Sequence, residues 1–290
     1  MKVVFHFDGT DALRAKLGDV ILCPESDAAA FERLLPEMEV LWHVLKPVTA
    51  EVIARAPKLR LIQKIGSGVN TIDVEAAKRR GIAVCNLPGT NSRAVAEMAL
   101  LLMLACLRRL PELRSADAWK LQDHFGELGG RVVGLVGYGA VPKILHPILE
   151  AMGARVLYWS RSRKNAELKD LLAGSDIVSL HLPLTPETDR LIDPRRMKRG
   201  AILVNTARGA LVNEHFLLEA LNSGQLAAAG LDVFAQEPVP ADHPLLSLSN
   251  VVSSPHLAWL TAETLARSIE AARENVRRLE MGVTLLHRVA

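Results

Sequence analysis

Short runs of apolar and β-branched residues alternate with segments of helical period along the whole chain. Apolar positions cluster in KVVFHF, VLWHV, LRLIQKIG, VVGLVGYG, RVLYWS, DIVSLHLP, AILVNTA, AGLDVF and VVSSPH. Several of these are apolar at consecutive positions, as strands covered on both faces of a parallel sheet tend to be. Between them, Ala50–Ala56, Asp73–Arg80, Asn213–Ser223 and Thr261–Glu280 space charges around apolar stripes, which predicts helices over these ranges. The alternation predicts an α/β protein with parallel sheets.

The rhythm runs twice, with about five short units before Asn86 and six after Arg131. Between the two sets lies Ser92 to Ala118, interrupted by Pro111. Its first part, AVAEMALLLMLACL, is apolar nearly all round and needs burial, for which an interdomain or intersubunit surface is the natural candidate. The last long helix, Thr261 to Glu280, is placed to cross back onto the first domain.

Composition narrows the class. The 290 residues suffice for two domains with their own cores, and 49% hydrophobic against 23% charged residues is a globular profile. A net charge of +3 without a basic block argues against nucleic acid and anionic membrane as partners. Cys23, Cys85 and Cys106 are far apart and form no C-x-x-C pair, which suits a reducing cytosol. The opening MKVVFHFDGT reads as a first strand rather than a signal peptide. Met98 to Leu107, the longest apolar run, falls short of the ~18 residues a membrane span requires. The expected location is cytoplasmic.

GLVGYGAVPKIL, from Gly134 to Leu145, has a strand before it, a helix-compatible segment after it and the strand RVLYWS about twenty residues on. That βαβ context marks a dinucleotide turn. Gly137 permits the tight turn, and Gly139 lets the backbone approach a pyrophosphate met by free N–H groups and the helix dipole. Pro142 stands where a third glycine is usual. It removes a packing convenience rather than a phosphate contact, and suits a first helical turn. Pro147 is expected to kink or shorten the helix.

Three further strand ends carry ionisable residues: Arg208 in VNTARGALV, Asp232 and Glu237 in LDVFAQEP, and His256 in SSPHLAW. Taken singly, such residues are more often surface ion pairs or structural histidines. Beyond the carboxyl ends of strands in an open parallel sheet, and beside a nucleotide turn, they supply an anion-binding fork, an acid–base group and a carboxylate to tune it.

NTARGALV, DVFAQEP and PHLAWLT resemble, in order and spacing, the signatures of the D-isomer-specific 2-hydroxyacid dehydrogenase family. KIGSGVNTID, NLPGTNSRAVAE and HLPLTPET with SDIV before it are similar to further family segments, so the resemblance covers essentially the whole chain. It implies two Rossmann-like doubly wound domains with a cleft that closes by hinge motion. The substrate domain would comprise residues 1–96 and 264–290, and the cofactor domain 97–263. It also implies a homodimer through the cofactor domain, covering Met98–Leu107 and Trp119.

The same resemblance implies a catalytic triad of Arg208, Glu237 and His256. Arg208 would hold the carboxylate and carbonyl of a 2-oxo acid. His256 would donate a proton to the carbonyl oxygen as hydride arrives, with Glu237 favouring the charged imidazole. Ser67, Gly68 and Val69 correspond to the loop whose backbone holds the substrate carboxylate. The implied cofactor set is Gly137, Tyr138, Gly139, Ala140 and Val141 in the turn, with His181, Pro183 and Thr188 in HLPLTPET. Thr206, Ala207, Arg208, Asp232, His256 and Ala258 complete it, Asp232 at the position that holds the nicotinamide carboxamide. No histidine has metal-ligand spacing, and no metal is assigned.

Two positions refine the expectation. The second strand of the βαβ unit ends in YWSRSRK, without the acidic residue that binds both ribose hydroxyls of NAD(H). Ser160, Arg161 and Arg163 there favour NADP(H), with NAD(H) as the second cofactor, and similar S-R turns occur in NADPH-using glyoxylate and hydroxypyruvate reductases. Trp259 stands where the family usually has a small residue. A ring facing the cleft would select small substrates such as glyoxylate or hydroxypyruvate, whereas a ring at a domain or dimer contact would not. Three alternatives stay open. One is a non-catalytic nicotinamide-nucleotide sensor on the same fold, which the short chain without an appended tail disfavours. The others are an NAD-dependent phosphoglycerate-type dehydrogenase and a phosphite- or formate-type oxidation.

Overall fold

The computed structural model describes residues 1–114, 120 and 125–290, so Trp119 and Ala118 lie outside the described residues. The chain divides into two compact units, 1–91 with 261–290 and 92–260. The boundary expected at residue 97 falls inside a helix, Ser92–Leu107, that belongs as a whole to the second unit.

The first unit holds β1 (Val3–His6), α1 (Asp11–Leu17), β2 (Ile21–Cys23), α2 (Ala28–Leu34), β3 (Val40–His43), α3 (Ala50–Ala54), β4 (Leu61–Lys64), α4 (Val74–Arg79) and β5 (Ala83–Cys85). The strands form one parallel sheet in the order β2-β1-β3-β4-β5, a doubly wound arrangement. Short polar side chains fix where its helices start. Thr10, Asp27, Thr49 and Asp73 each accept the N–H three residues on. β2 and β5 have three residues each, too short to read as apolar runs.

The second unit begins with α5 (Ser92–Leu107), followed by β6 (Val132–Val136), α6 (Ala140–Ala151), β7 (Arg155–Trp159), α7 (Leu168–Gly174) and β8 (Ile177–Leu180). β9 (Ala201–Asn205), α8 (Glu214–Asn222), β10 (Leu226–Leu231) and β11 (Val251–Ser253) complete it. The sheet is again parallel, in the order β11-β10-β9-β8-β6-β7. The all-round apolar character of α5 has a concrete origin. Ala99, Leu102, Met103 and Cys106 join a core cluster with β6, β9 and β10. A Cβ at Gly230 would stand 2.8 Å from Leu102 Cβ, so a glycine lets the helix lie on β10. Leu101 is left 53% exposed, with Met98, Leu100 and Leu104 half-buried.

The chain returns to the first unit as α9 (Ala262–Met281), as the amphipathic pattern predicts. Asn275 docks it. Its Nδ2 donates to Gln63 Oε1 at 2.7 Å, and its Oδ1 accepts the Leu286 N–H at 2.8 Å. Among the described residues no helix is long and apolar enough to cross a membrane.

Candidate active site

The glycine turn sits at the topological switch point of the second sheet, where β6 has β7 on one side and β8 on the other. Crevices at such points are where open α/β sheets bind ligands. Gly137 has a left-handed φ of 99°, and a Cβ on it would overlap the His181 carbonyl, so no other residue fits. Gly139 caps α6 without any side-chain hydrogen bond, and a Cβ there would meet nothing within 4 Å. The first-turn N–H groups of Ala140 and Val141 beside it have no intrahelical partner. Pro142 is buried in that first turn. Pro147 does not shorten the helix, which keeps its twelve residues to Ala151. Lys143 and Pro147 both lie on the exposed face, so the Lys143 carbonyl that proline leaves without its helical bond is not sealed in the core.

Around the turn, the Tyr138 ring lies 4.1 Å from that of Tyr158, and its hydroxyl is 2.6 Å from His146 Nδ1. The Arg163 guanidinium stands over Tyr138, 5.5 Å from the ring centre. Ser160 follows β7 and closes a tight turn: its hydroxyl donates to the Arg163 carbonyl at 2.6 Å and accepts the Arg163 N–H at 2.9 Å. Arg161 is exposed. Enclosure by protein pushes His181 down to about 3, so it is a neutral ring beside the Ser179 hydroxyl. Pro183 is exposed, while the Thr188 hydroxyl braces its own loop by donating to the Pro183 carbonyl at 2.7 Å. Thr206 has a buried hydroxyl with no hydrogen-bond partner among the described residues. An orphaned hydroxyl and a clear space over Gly139 both fit a dinucleotide on this side of the sheet.

The three ionisable residues come from three successive connections. Arg208 follows β9 in a turn that Asn205 clamps, its Nδ2 donating to the Arg208 carbonyl at 2.9 Å and its Oδ1 accepting the Ala207 N–H at 3.0 Å. Glu237 follows β10, with Oε1 accepting the Phe234 N–H at 3.1 Å and Oε2 2.6 Å from His256 Nδ1. That contact leaves His256 Nε2 as the nitrogen open to a substrate. His256 has a left-handed φ of 57°, held by its N–H donating to the Asp232 carbonyl at 2.7 Å. Burial pushes the Glu237 carboxyl upward, but the hydrogen bond and charge of His256, the Phe234 N–H and Arg208 together hold it below the usual carboxylate range. Burial lowers the Arg208 guanidinium, the Glu237 charge opposing, and it remains a cation at every accessible pH.

Asp232 is fully buried, and its carboxylate is engaged inside the protein. Oδ1 accepts the Ser254 hydroxyl at 2.6 Å and the Leu257 N–H at 2.8 Å, and Oδ2 accepts the Ala258 N–H at 3.0 Å. These bonds shape the loop that presents His256. Gly209 matters for a similar reason, because a Cβ there would overlap the Phe234 carbonyl and the Ala235 nitrogen. Sequence reasoning missed Asn205, Gly209 and Ser254 as parts of the site. The motif letters carried them, but their work is contact between loops remote in sequence. Trp259 is buried at 8% exposure.

In the first unit, Ser67, Gly68 and Val69 follow β4. The loop is pinned by Asn86 Nδ2 donating to the Ser67 carbonyl at 2.8 Å and by the Leu87 N–H on the Gly66 carbonyl at 2.8 Å. No described residue accepts a hydrogen bond from the backbone N–H of Ser67, Gly68 or Val69.

Comparisons with known proteins place the chain in a family. Residues 100–258 match the model of the D-isomer specific 2-hydroxyacid dehydrogenase NAD-binding domain. The chain is 39% identical to the glyoxylate reductase of Aeropyrum pernix, over 91% of this chain and 87% of that protein. It is 41% identical to D-3-phosphoglycerate dehydrogenase of Mycobacterium tuberculosis, over 91% of this chain but 54% of the longer relative. The crystal structure of the TT0316 protein from Thermus thermophilus superposes with a TM-score of 0.87 at 36% identity, each chain covered in full. The chain belongs to the D-isomer specific 2-hydroxyacid dehydrogenase family.

Proposed function

We propose that this member of an NAD(P)-dependent oxidoreductase family is an NADP(H)-preferring reductase of small 2-oxo acids of the glyoxylate or hydroxypyruvate type. The observation that carries the reaction is the 2.6 Å contact of His256 with Glu237, on a loop next to the Arg208 turn. A bound nicotinamide supplies the hydride. Arg208 holds the substrate's carboxylate and carbonyl oxygens, and His256, as imidazolium, passes its Nε2 proton to the carbonyl oxygen. Glu237 stabilises that imidazolium, and in oxidation neutral His256 takes the proton back. Ser67, Gly68 and Val69 keep the role of backbone donors to the carboxylate.

The absence of a carboxylate at the end of β7 and the Ser160–Arg163 turn support NADP(H). The 39% identity to glyoxylate reductases supports a small substrate, and a Trp259 ring facing the substrate would narrow the pocket further. The test is kcat/KM for glyoxylate, hydroxypyruvate, a phosphorylated 2-oxo acid and a bulky aromatic 2-oxo acid, each with NADPH and NADH. The two small acids with NADPH are expected to lead. A bulky acid in first place would reject the narrow pocket, and nucleotide binding without turnover of any acid would favour a sensor. The exposed Leu101 and half-buried Met98 and Leu104 of α5 support a homodimer, which Leu101→Glu is expected to convert to monomer by light scattering.

A further inference from the structure

Glu214 is the first residue of α8, six positions after Arg208. Its Oε1 accepts the Ala235 N–H at 2.8 Å, and its Oε2 lies 3.5 Å from His243 Nε2. Both side chains are about four-fifths buried, at 21% and 18% exposure, unlike ordinary surface pairs. The N–H that Glu214 holds belongs to the Phe234–Ala235 peptide. That same peptide is the one Gly209 rests against so closely that a Cβ would overlap it. The neighbouring N–H, of Phe234, donates to Glu237 Oε1 at 3.1 Å. The Arg208 turn and the start of α8 therefore meet at one peptide plane, and Glu237 holds the peptide next before it. The His243 ring also meets Phe234 edge-on, with centres 5.5 Å apart, so His243 backs both Glu214 and the loop.

We propose that Glu214, backed by His243, is a positioning residue: by fixing the Phe234–Ala235 peptide it sets Glu237 against His256 and locks the Arg208 turn beside them. This rests on reading Arg208, Glu237 and His256 as the reacting set. If the loop shifts at Phe234, the N–H of the preceding peptide leaves Glu237 and the carboxylate can swing from the imidazole. The titratable and charged groups facing this loop are His256 and Arg208 at Glu237 and His243 at Glu214, with Asp232 facing His256 from the end of β10. Loosening the contacts that depress the Glu237 carboxyl returns it toward its ordinary range. Activity that needs ionised Glu237 is then lost at a higher pH as the solution is acidified.

The experiment compares Glu214→Ala, Glu214→Gln, His243→Ala and Glu237→Gln in the full chain. Hydroxypyruvate is the substrate, and NADPH binding is followed separately by fluorescence. Glu214→Ala is expected to lower kcat ~10-fold or more, as misplacement of a reacting group does, with NADPH affinity unchanged. The acid limb of its pH profile should move to higher pH. Glu214→Gln keeps an oxygen for the Ala235 N–H and should restore most of kcat. Adding Glu214→Ala to Glu237→Gln should cost little more, because the first acts through the second. Full additivity, or a Glu214→Ala enzyme with normal kcat and an unmoved profile, would overturn the proposal. If Glu214→Ala does not fold, His243→Ala decides: a smaller loss of kcat with the same shift of the acid limb supports it, and no change overturns it. Normal turnover in Glu237→Gln would remove the triad reading and this inference with it. A crippled Glu237→Gln beside a normal Glu214→Ala would remove the inference alone.

Discussion

His43 and His256 both stand at the carboxyl ends of parallel strands, one in each unit, and their surroundings make them chemically different. His43 is 1% exposed, with Nε2 2.8 Å from the Lys46 carbonyl and Nδ1 without a partner among the described residues. Burial, then the Lys64 ammonium, pushes it down to about 3. Its row across the sheet is Cys23, His6, His43 and Lys64 in register, all buried. His6, stacked 3.9 Å from Phe31, is pushed down to about 4, chiefly by burial. His256 has a carboxylate at 2.6 Å where His43 has an ammonium, and its side chain is 19% exposed. Strand-end position alone therefore does not make an acid–base histidine. Burial and a neighbouring ammonium keep His43 neutral, whereas His256 keeps access to solvent and a carboxylate at its Nδ1.

The largest expected effect separates the two histidines directly. His256→Ala should lower kcat by ~100-fold or more, the usual scale for a positioned acid–base group, while NADPH still binds. Arg208→Lys should lose most of kcat/KM, because an ammonium cannot replace the guanidinium fork. His43→Asn should leave kcat near wild type and act on stability instead. Steady-state kinetics on the three folded variants checks this, and comparable losses in His256→Ala and His43→Asn would dissolve the contrast.

Acid should act on the first unit through stability. His6 and His43 have folded values of about 4 and about 3 against an unfolded value of 6.5, so the unfolded chain binds more protons between these limits. The stability they allow is fully present above pH 6.5 and is lost as pH falls toward 4, by on the order of a few kcal/mol. Thermal melts from pH 7.5 to 4.5 should show a falling Tm, with a shallower slope in His6→Asn and His43→Asn. An unchanged slope in both would mean that other groups govern acid unfolding.

Much of the fold was legible because consecutive apolar runs and amphipathic stripes are local, and their alternation leaves few architectures. What the pattern hid was short or non-local. β2 and β5 are too brief to show a period, and no local rule says that one face of α5 lies on β10. The motif residues Arg208, Glu237 and His256 could be named from order and spacing. The work of Asn205, Gly209, Glu214 and Ser254 could not, since each acts by a hydrogen bond or backbone approach to a loop that the sequence does not pair with it. Asp232 illustrates the limit: the motif marks it for a cofactor amide, and its bonds to Ser254, Leu257 and Ala258 could not be read from the motif.

The smallest expected effect concerns the other end of the cofactor, where no proton moves and only preference changes. The Ser160 hydroxyl both donates to and accepts from the Arg163 backbone, and Arg163 in turn stacks on Tyr138 in the glycine turn. A 2′-phosphate bound at this turn would be met by guanidinium donors, whereas a carboxylate would repel it. Ser160→Asp keeps an acceptor for the Arg163 N–H but loses the donor to the Arg163 carbonyl, so it loosens the turn as well as adding charge. Ser160→Ala separates the two effects, because it loosens the turn without charge. Ser160→Asp with Arg161→Ala is expected to shift the NADPH to NADH ratio of kcat/KM by about tenfold or more toward NADH, a change of ~1.4 kcal/mol. Ser160→Ala alone should lower use of NADPH and leave NADH unaffected. The measurement is kcat/KM for both cofactors in wild type and the variants at one substrate concentration series. A wild-type enzyme that favours NADH, or a ratio the double variant does not move, would show that the turn after β7 takes no part in choosing the cofactor.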